Sequence, residues 1–119
     1  MPEIVTFDRE HNVVTIISSD LVGLEDLAKS LDSVKQIVHD QGLNKVLIDA
    51  TNLKLMPSPL HLHGFAYELS NQAKNMKFAI VVSEQSPKGV RCLETAAQAR
   101  GVIIKTFPSQ NDALAWLKQ

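Results

Sequence analysis

What most constrains this chain is the regular exchange of two hydrophobic periods along it. After two short β-prone runs, stripes with the three-and-four spacing of a helix alternate with short continuous apolar runs to the last residues. Residues 3–7 and 13–17 are the opening runs, joined by Asp8-Arg9-Glu10-His11-Asn12, a polar stretch with the turn chemistry of a hairpin loop. The second run, Val13-Val14-Thr15-Ile16-Ile17, is continuous rather than alternating, which predicts a mid-sheet strand covered on both faces. Leu24, Leu27, Leu31, Val34 and Val38 then form one helical stripe, with Gly23 suited to its N-cap, Glu25 and Asp26 to its positive first turn and Gly42 to a left-handed stop.

Residues 45–49 read as a third strand and 50–57 as an irregular connection. Leu62, Phe65, Ala66, Leu69 and Ala73 mark a second helix, and 76–82 a fourth strand. A third helix is opened by Ser86-Pro87, carries Val90, Leu93, Ala96 and Ala97 inward, and stops at Gly101. Residues 102–107 form a fifth strand. Ser109 opens the last helix, with Asp112 at its third position and Leu114 and Leu117 on its apolar side. The order ββαβαβαβα predicts one α/β domain over residues 1–119. It is a five-stranded mixed sheet, mostly parallel from the second strand on, with about four helices in two outer layers. Strand order stays open.

Composition narrows the function classes. Twelve Lys and Arg against thirteen Asp and Glu give a formal charge of -1, without the basic footprint of a dedicated nucleic-acid binder. A hydrophobic fraction of 45% supplies a core without metal or disulfide staples, and Cys92 has no second cysteine to pair with. No apolar run reaches the roughly 18 residues of a membrane span, so any membrane contact is expected to be peripheral. The start Met1-Pro2-Glu3-Ile4 lacks the pattern of a signal peptide, and the expected location is the cytoplasm.

Two stretches, in this order, resemble the SpoIIAA-like branch of the STAS superfamily, small bacterial α/β domains related to the anti-sigma-factor antagonists. One is Lys45-Val46-Leu47-Ile48-Asp49 leading into Asn52-Leu53-Lys54-Leu55-Met56-Pro57-Ser58; the other is Phe107-Pro108-Ser109 followed by Asp112-Ala113-Leu114-Ala115-Trp116-Leu117. The resemblance covers nearly the whole chain and implies the STAS fold and regulation through protein contact. In the antagonists a leucine and methionine turn leads into Asp-Ser-Ser-Gly, whose second serine a partner kinase phosphorylates. Aligned on Met56, this chain has Pro57 for the Asp, Ser58 for the first serine, Pro59 for the phosphorylated one and Leu60 for the glycine. Ser58 is then the remaining acceptor, one residue out of register. The resemblance also implies a hydrophobic or lipid-like ligand or association with a membrane surface.

Candidate site residues gather where strands would end. Ser58-Pro59 and Ser86-Pro87 each place a hydroxyl at an N-cap and a proline at the first helical position, at the sheet edge where open α/β folds hold ligands. Plain capping accounts for both; an anion site would draw Lys88 and Arg91 from the first turn of the third helix. Asp49, at a strand end, suits a polar ligand, a base or a local turn. His61 and His63 point about 200° apart on a helix and lack further ligands, so no metal site is expected. Cys92 reads as a packing residue, and no phosphate loop, serine elbow, zinc signature or cofactor motif is present. Trp116 is expected half-buried, with an interface role open to it.

The stretch 53–65 is rich in large apolar residues and poor in charge, more than a loop readily buries in a small core. Packing of the connection across the sheet edge is one reading; an apolar lid or contact patch using Leu55, Met56, His61 and Phe65 is the other. Gly64 is expected to allow close approach or bending. The sequence thus predicts a noncatalytic domain that binds a partner protein or a second copy of itself as a homodimer. The alternative is a hydrophobic ligand held under the lid with Lys88 and Arg91 at its headgroup, ahead of an uncharacterised enzyme using Asp49 or a histidine.

Overall fold

In the computed structural model, which describes residues 3–119, the elements are β1 (Glu3–Asp8), β2 (Val13–Leu21), α1 (Leu24–Gln41), β3 (Lys45–Leu55), α2 (Pro59–Gln72), β4 (Lys77–Val81), α3 (Gly89–Ala99), β5 (Ile103–Phe107) and α4 (Gln110–Leu117). The strands lie side by side in chain order, β1 antiparallel to β2 and each later pair parallel. This is the mixed five-stranded sheet that the alternation of periods predicts, now with its order.

That order dictates the layers. Each crossover steps to the next strand in the same direction, and right-handed crossovers taken in one direction all pass over one face. The buried residues of α1, α2 and α3 accordingly form one core with Val14, Ile16, Val46, Phe78, Ile80 and Ile104 of the sheet. α4 packs Ala113, Leu114 and Leu117 on the opposite face against Val13, Leu47, Ala79, Val81 and Phe107. The two layers are therefore three helices against one. α4 packs on β3, β4 and β5, and Ile4 and Ile17, paired across β1 and β2, stay 53% and 42% exposed. The run 13–17 thus does not mark a strand covered throughout: Val13, Val14 and Ile16 are buried, while Ile17 faces the part of the sheet beyond α4.

Local signals hold the element ends. The Asp8 carboxylate accepts the Glu10 and His11 backbone N–H groups at 3.0 and 3.2 Å, and Asn12 turns back at φ 57°. The His11 ring, 2.7 Å from the other Asp8 oxygen, holds that carboxyl below its ordinary range. Asp26 accepts the Gly23 N–H at 2.9 Å at the start of α1, and Gly42 closes the helix at φ 64° with its N–H on the Val38 carbonyl. Trp116 is half-buried, tilted on Phe107 with ring centroids 5.3 Å apart and with the Lys77 ammonium 4.4 Å from its ring centre.

Candidate functional site

β3 consists of two halves with different surroundings. Its first half pairs with both β2 and β4, and pairing to β4 ends at Asp49↔Val81. Beyond that point β3 runs on beside β2 alone, through Ser19↔Asn52, Asp20↔Leu53 and Leu21↔Leu55, and the Val22 N–H donates to the Leu55 carbonyl at 3.0 Å. The connection expected to be irregular over 50–57 is therefore strand as far as Leu55. The reason is tertiary: Ser18, Ser19, Asp20, Asn52 and Lys54 are poor strand formers, but each edge supplies the other's backbone partners. Register shifts after Ile17 and after Asp20, with Asp20 at φ 55°, bend this two-stranded arm. Asp49 stands at its root, its carboxylate accepting the Thr51 N–H at 3.0 Å and the Thr51 hydroxyl at 2.6 Å, so it is engaged in a local turn.

The apolar connection divides by position. Leu53 and Leu62 are core residues, 4% and 0% exposed, whereas Leu55 and Leu60 are 58% and 80% exposed. Leu21, opposite Leu55 in the arm, and Leu24, at the start of α1, add two exposed leucines to the same carboxyl edge. Sequence reasoning missed Leu21 and placed Leu24 on the inward stripe, because nothing local shows that β2 and α1 meet beyond the helix layer. Met56 and Phe65 are half-buried against the main core. Gly89 seats the connection: a Cβ there would meet Leu62 Cδ1 at 3.1 Å and Met56 Cβ and Sδ at 3.3 Å, so α3 approaches this closely through a glycine. Gly64, expected to serve close approach, instead faces open space, with nothing within 4 Å of an added Cβ.

The hydroxyls and cations part company. Ser58 is the N-cap of α2, exposed, with its Oγ 3.3 Å from His61 Nδ1. His61 and His63 are both exposed, and among the described residues no group of three or more His, Cys, Asp or Glu is suited to a metal ion. Ser86 does not cap α3, which begins at Gly89 with Lys88 at its N-cap. Its hydroxyl accepts the Ser83 N–H at 2.9 Å and donates to the Ala50 carbonyl at 2.9 Å, tying the loop after β4 to the root of the arm. Lys88 and Arg91 are exposed on the outer side of this loop and helix.

Beneath the connection, between the sheet and the three-helix layer, lies a cavity of about 60 Å³. Ile16, Ile48 and Phe78 form its floor and Leu31, Phe65 and Leu93 its roof, with Met56 at its edge; Lys88 and Arg91 do not line it. Its polar residues are Glu3, Ser18 and Ser30. The Glu3 carboxylate accepts one hydroxyl on each oxygen, from Ser18 and from Ser30, both at 2.5 Å. Burial raises the Glu3 carboxyl above its ordinary range, the two serine hydrogen bonds oppose that shift, and the nearby Asp26 charge adds to it.

No protein-family model matches the sequence, and no curated protein matches it. Solved structures do. An uncharacterised protein of the DUF3478 family with a SpoIIAA-like fold, from Shewanella loihica PV-4, superposes with a TM-score of 0.62 at 19% identity over 97% of this chain and 91% of that one. An anti-sigma factor antagonist from Mycobacterium paratuberculosis gives 0.67 at 15% identity over 98% and 93%. SpoIIAA in its unphosphorylated form gives 0.59 at 11% identity over 98% and 97%. The fold is thus the SpoIIAA-like one that the two sequence stretches resemble.

Proposed function

We propose that this chain, with its SpoIIAA-like fold, is a noncatalytic regulatory domain that docks a protein partner on its carboxyl edge through the connection and helix after β3. The observation that carries the reading is the outward placement of Leu55 and Leu60, 58% and 80% exposed, with Leu21 opposite Leu55 and Leu24 also exposed. Full burial of one leucine side chain is worth roughly 1.5–3 kcal/mol, so the four together offer a partner several kcal/mol. The structural likeness to anti-sigma factor antagonists supports an anti-sigma factor as that partner. Ser58 supports regulation of the same edge: phosphate on its hydroxyl would meet the free N–H groups of the first turn of α2 and set charge two residues from Leu60.

The test is calorimetric binding of the anti-sigma factors of the source organism, with sedimentation equilibrium of the chain alone to detect a homodimer. Leu60→Asp is expected to weaken the contact by about tenfold or more while leaving urea stability nearly unchanged, as for removal of a central apolar anchor. Unchanged affinity would overturn the docking reading. A second reading rests on the cavity lined by Met56 and Phe65, which favours a small hydrophobic ligand beneath the same connection. A copurifying mass in native mass spectrometry supports it, and cosedimentation with anionic vesicles reports a membrane surface instead.

A further inference from the structure

The cavity carries one charged group, and that group sits where the interior meets the surface. Glu3 and Ser30 line the cavity and also a surface groove, together with Asp26, Lys29 and Ser33. The two residues therefore stand between cavity and groove, where the Ser30 hydroxyl of α1 donates to the Glu3 carboxylate of β1. Apart from Glu3, Ser18 and Ser30, every residue lining the cavity is apolar. Among the described residues no cation forms an ion pair with Glu3.

The hydrogen bonds at this end fix what it can receive. Both serine hydroxyls donate to the carboxylate, so an arriving group meets only lone pairs and a negative charge. A carboxylate ligand would face like charge with no donor to receive it. A protonated primary amine brings three N–H donors and a positive charge. In the outer groove the Asp26 charge adds to the negative potential at Glu3, and Lys29 is the cation that lines the groove. A water-sized group needs about 10–15 Å³ by this kind of measure, so about 60 Å³ admits roughly four to six non-hydrogen atoms.

Building on the ligand reading given above, we infer that the cavity binds a small aliphatic amine, its ammonium on Glu3 and its alkyl chain running inward between Ile16 and Phe65. NMR titration of the ¹⁵N-labelled full chain at pH 7 with n-butylammonium, butyrate and 1-butanol tests this. The amine should shift the amides of Ser18, Ser30 and Leu69 saturably and bind about tenfold or more tighter than butyrate, as a charge-assisted contact requires. Glu3→Gln should remove that preference while leaving butanol affinity within about twofold, because the apolar walls are unchanged. Equal binding of amine and butyrate, or amine binding that survives Glu3→Gln, overturns the amine assignment and leaves a neutral-ligand cavity standing. Absence of saturable shifts with all three probes overturns the ligand reading beneath it as well. The ranking of the probes on the parent chain decides the matter even if the variant fails to fold.

Discussion

Leu53 and Leu62 flank Leu55 and Leu60 along the chain, each two residues away, yet this inward-facing pair is 4% and 0% exposed and the outer pair 58% and 80%. On α2 the difference follows from the helix, since positions two apart point about 200° away from each other. On β3 it follows from the register shift after Asp20: Asp20 pairs with Leu53 and Leu21 with Leu55, so the two leucines occupy consecutive pairing positions and face opposite sides of the arm. Both leucines lie beyond the end of β4, where β3 pairs with β2 alone, and Leu53 turns into the core while Leu55 turns out. An apolar segment is therefore core or contact according to which way helix phase and strand register turn each side chain, and hydrophobicity alone does not separate the two.

The contrast can be broken most forcefully at α2. Leu62→Ala should cost about 2–5 kcal/mol in urea unfolding, and Leu60→Ala should stay within about 0.5 kcal/mol. Comparable losses would mean that the outer pair is packed and would remove the docking surface. Gly64→Ala should stabilise the chain by about 0.5–1 kcal/mol, since the site is open and helical. A loss there would show that α2 bends in a way its open surroundings do not suggest. The gentlest test compares interior with surface through protons. The Glu3 carboxyl is raised on folding, so its contribution to stability is complete below the ordinary carboxyl range and is lost as pH rises through the raised value. Glu3→Gln should accordingly gain stability relative to the parent chain between pH 4 and pH 7, read by urea unfolding at both; a difference that does not move with pH would place Glu3 in water.

What the sequence made legible was whatever its own neighbours decide. α1 begins and ends where Gly23 and Gly42 put it, because stripe, first-turn acids and left-handed stop all lie within the helix or beside it. Ser109 caps α4 as its spacing indicates, accepting the Asp112 N–H at 3.2 Å. Ser86 carries the same local signature and does otherwise, since the Ala50 carbonyl, 36 positions away, takes its hydrogen bond. The second half of β3 was hidden for the same reason. So was Glu3: its partners Ser18 and Ser30 lie 15 and 27 positions further on, and no short pattern joins them. Of the candidate site, Leu55, Met56, Ser58, His61 and Phe65 were visible as one stretch, whereas Leu21 and the glutamate were visible only once strands had been laid side by side.

The arrangement of strands in chain order also bears on how the molecule is made. Each strand finds its partner in the segment synthesised just before it, so a growing chain can add one β-α unit after another without waiting for a distant piece to close the sheet. Only α4 arrives from the other side, after β5 is in place, and its docking completes the second core. A nascent chain halted before α4 would leave Leu47, Ala79 and Val81 open to water and exposed to aggregation.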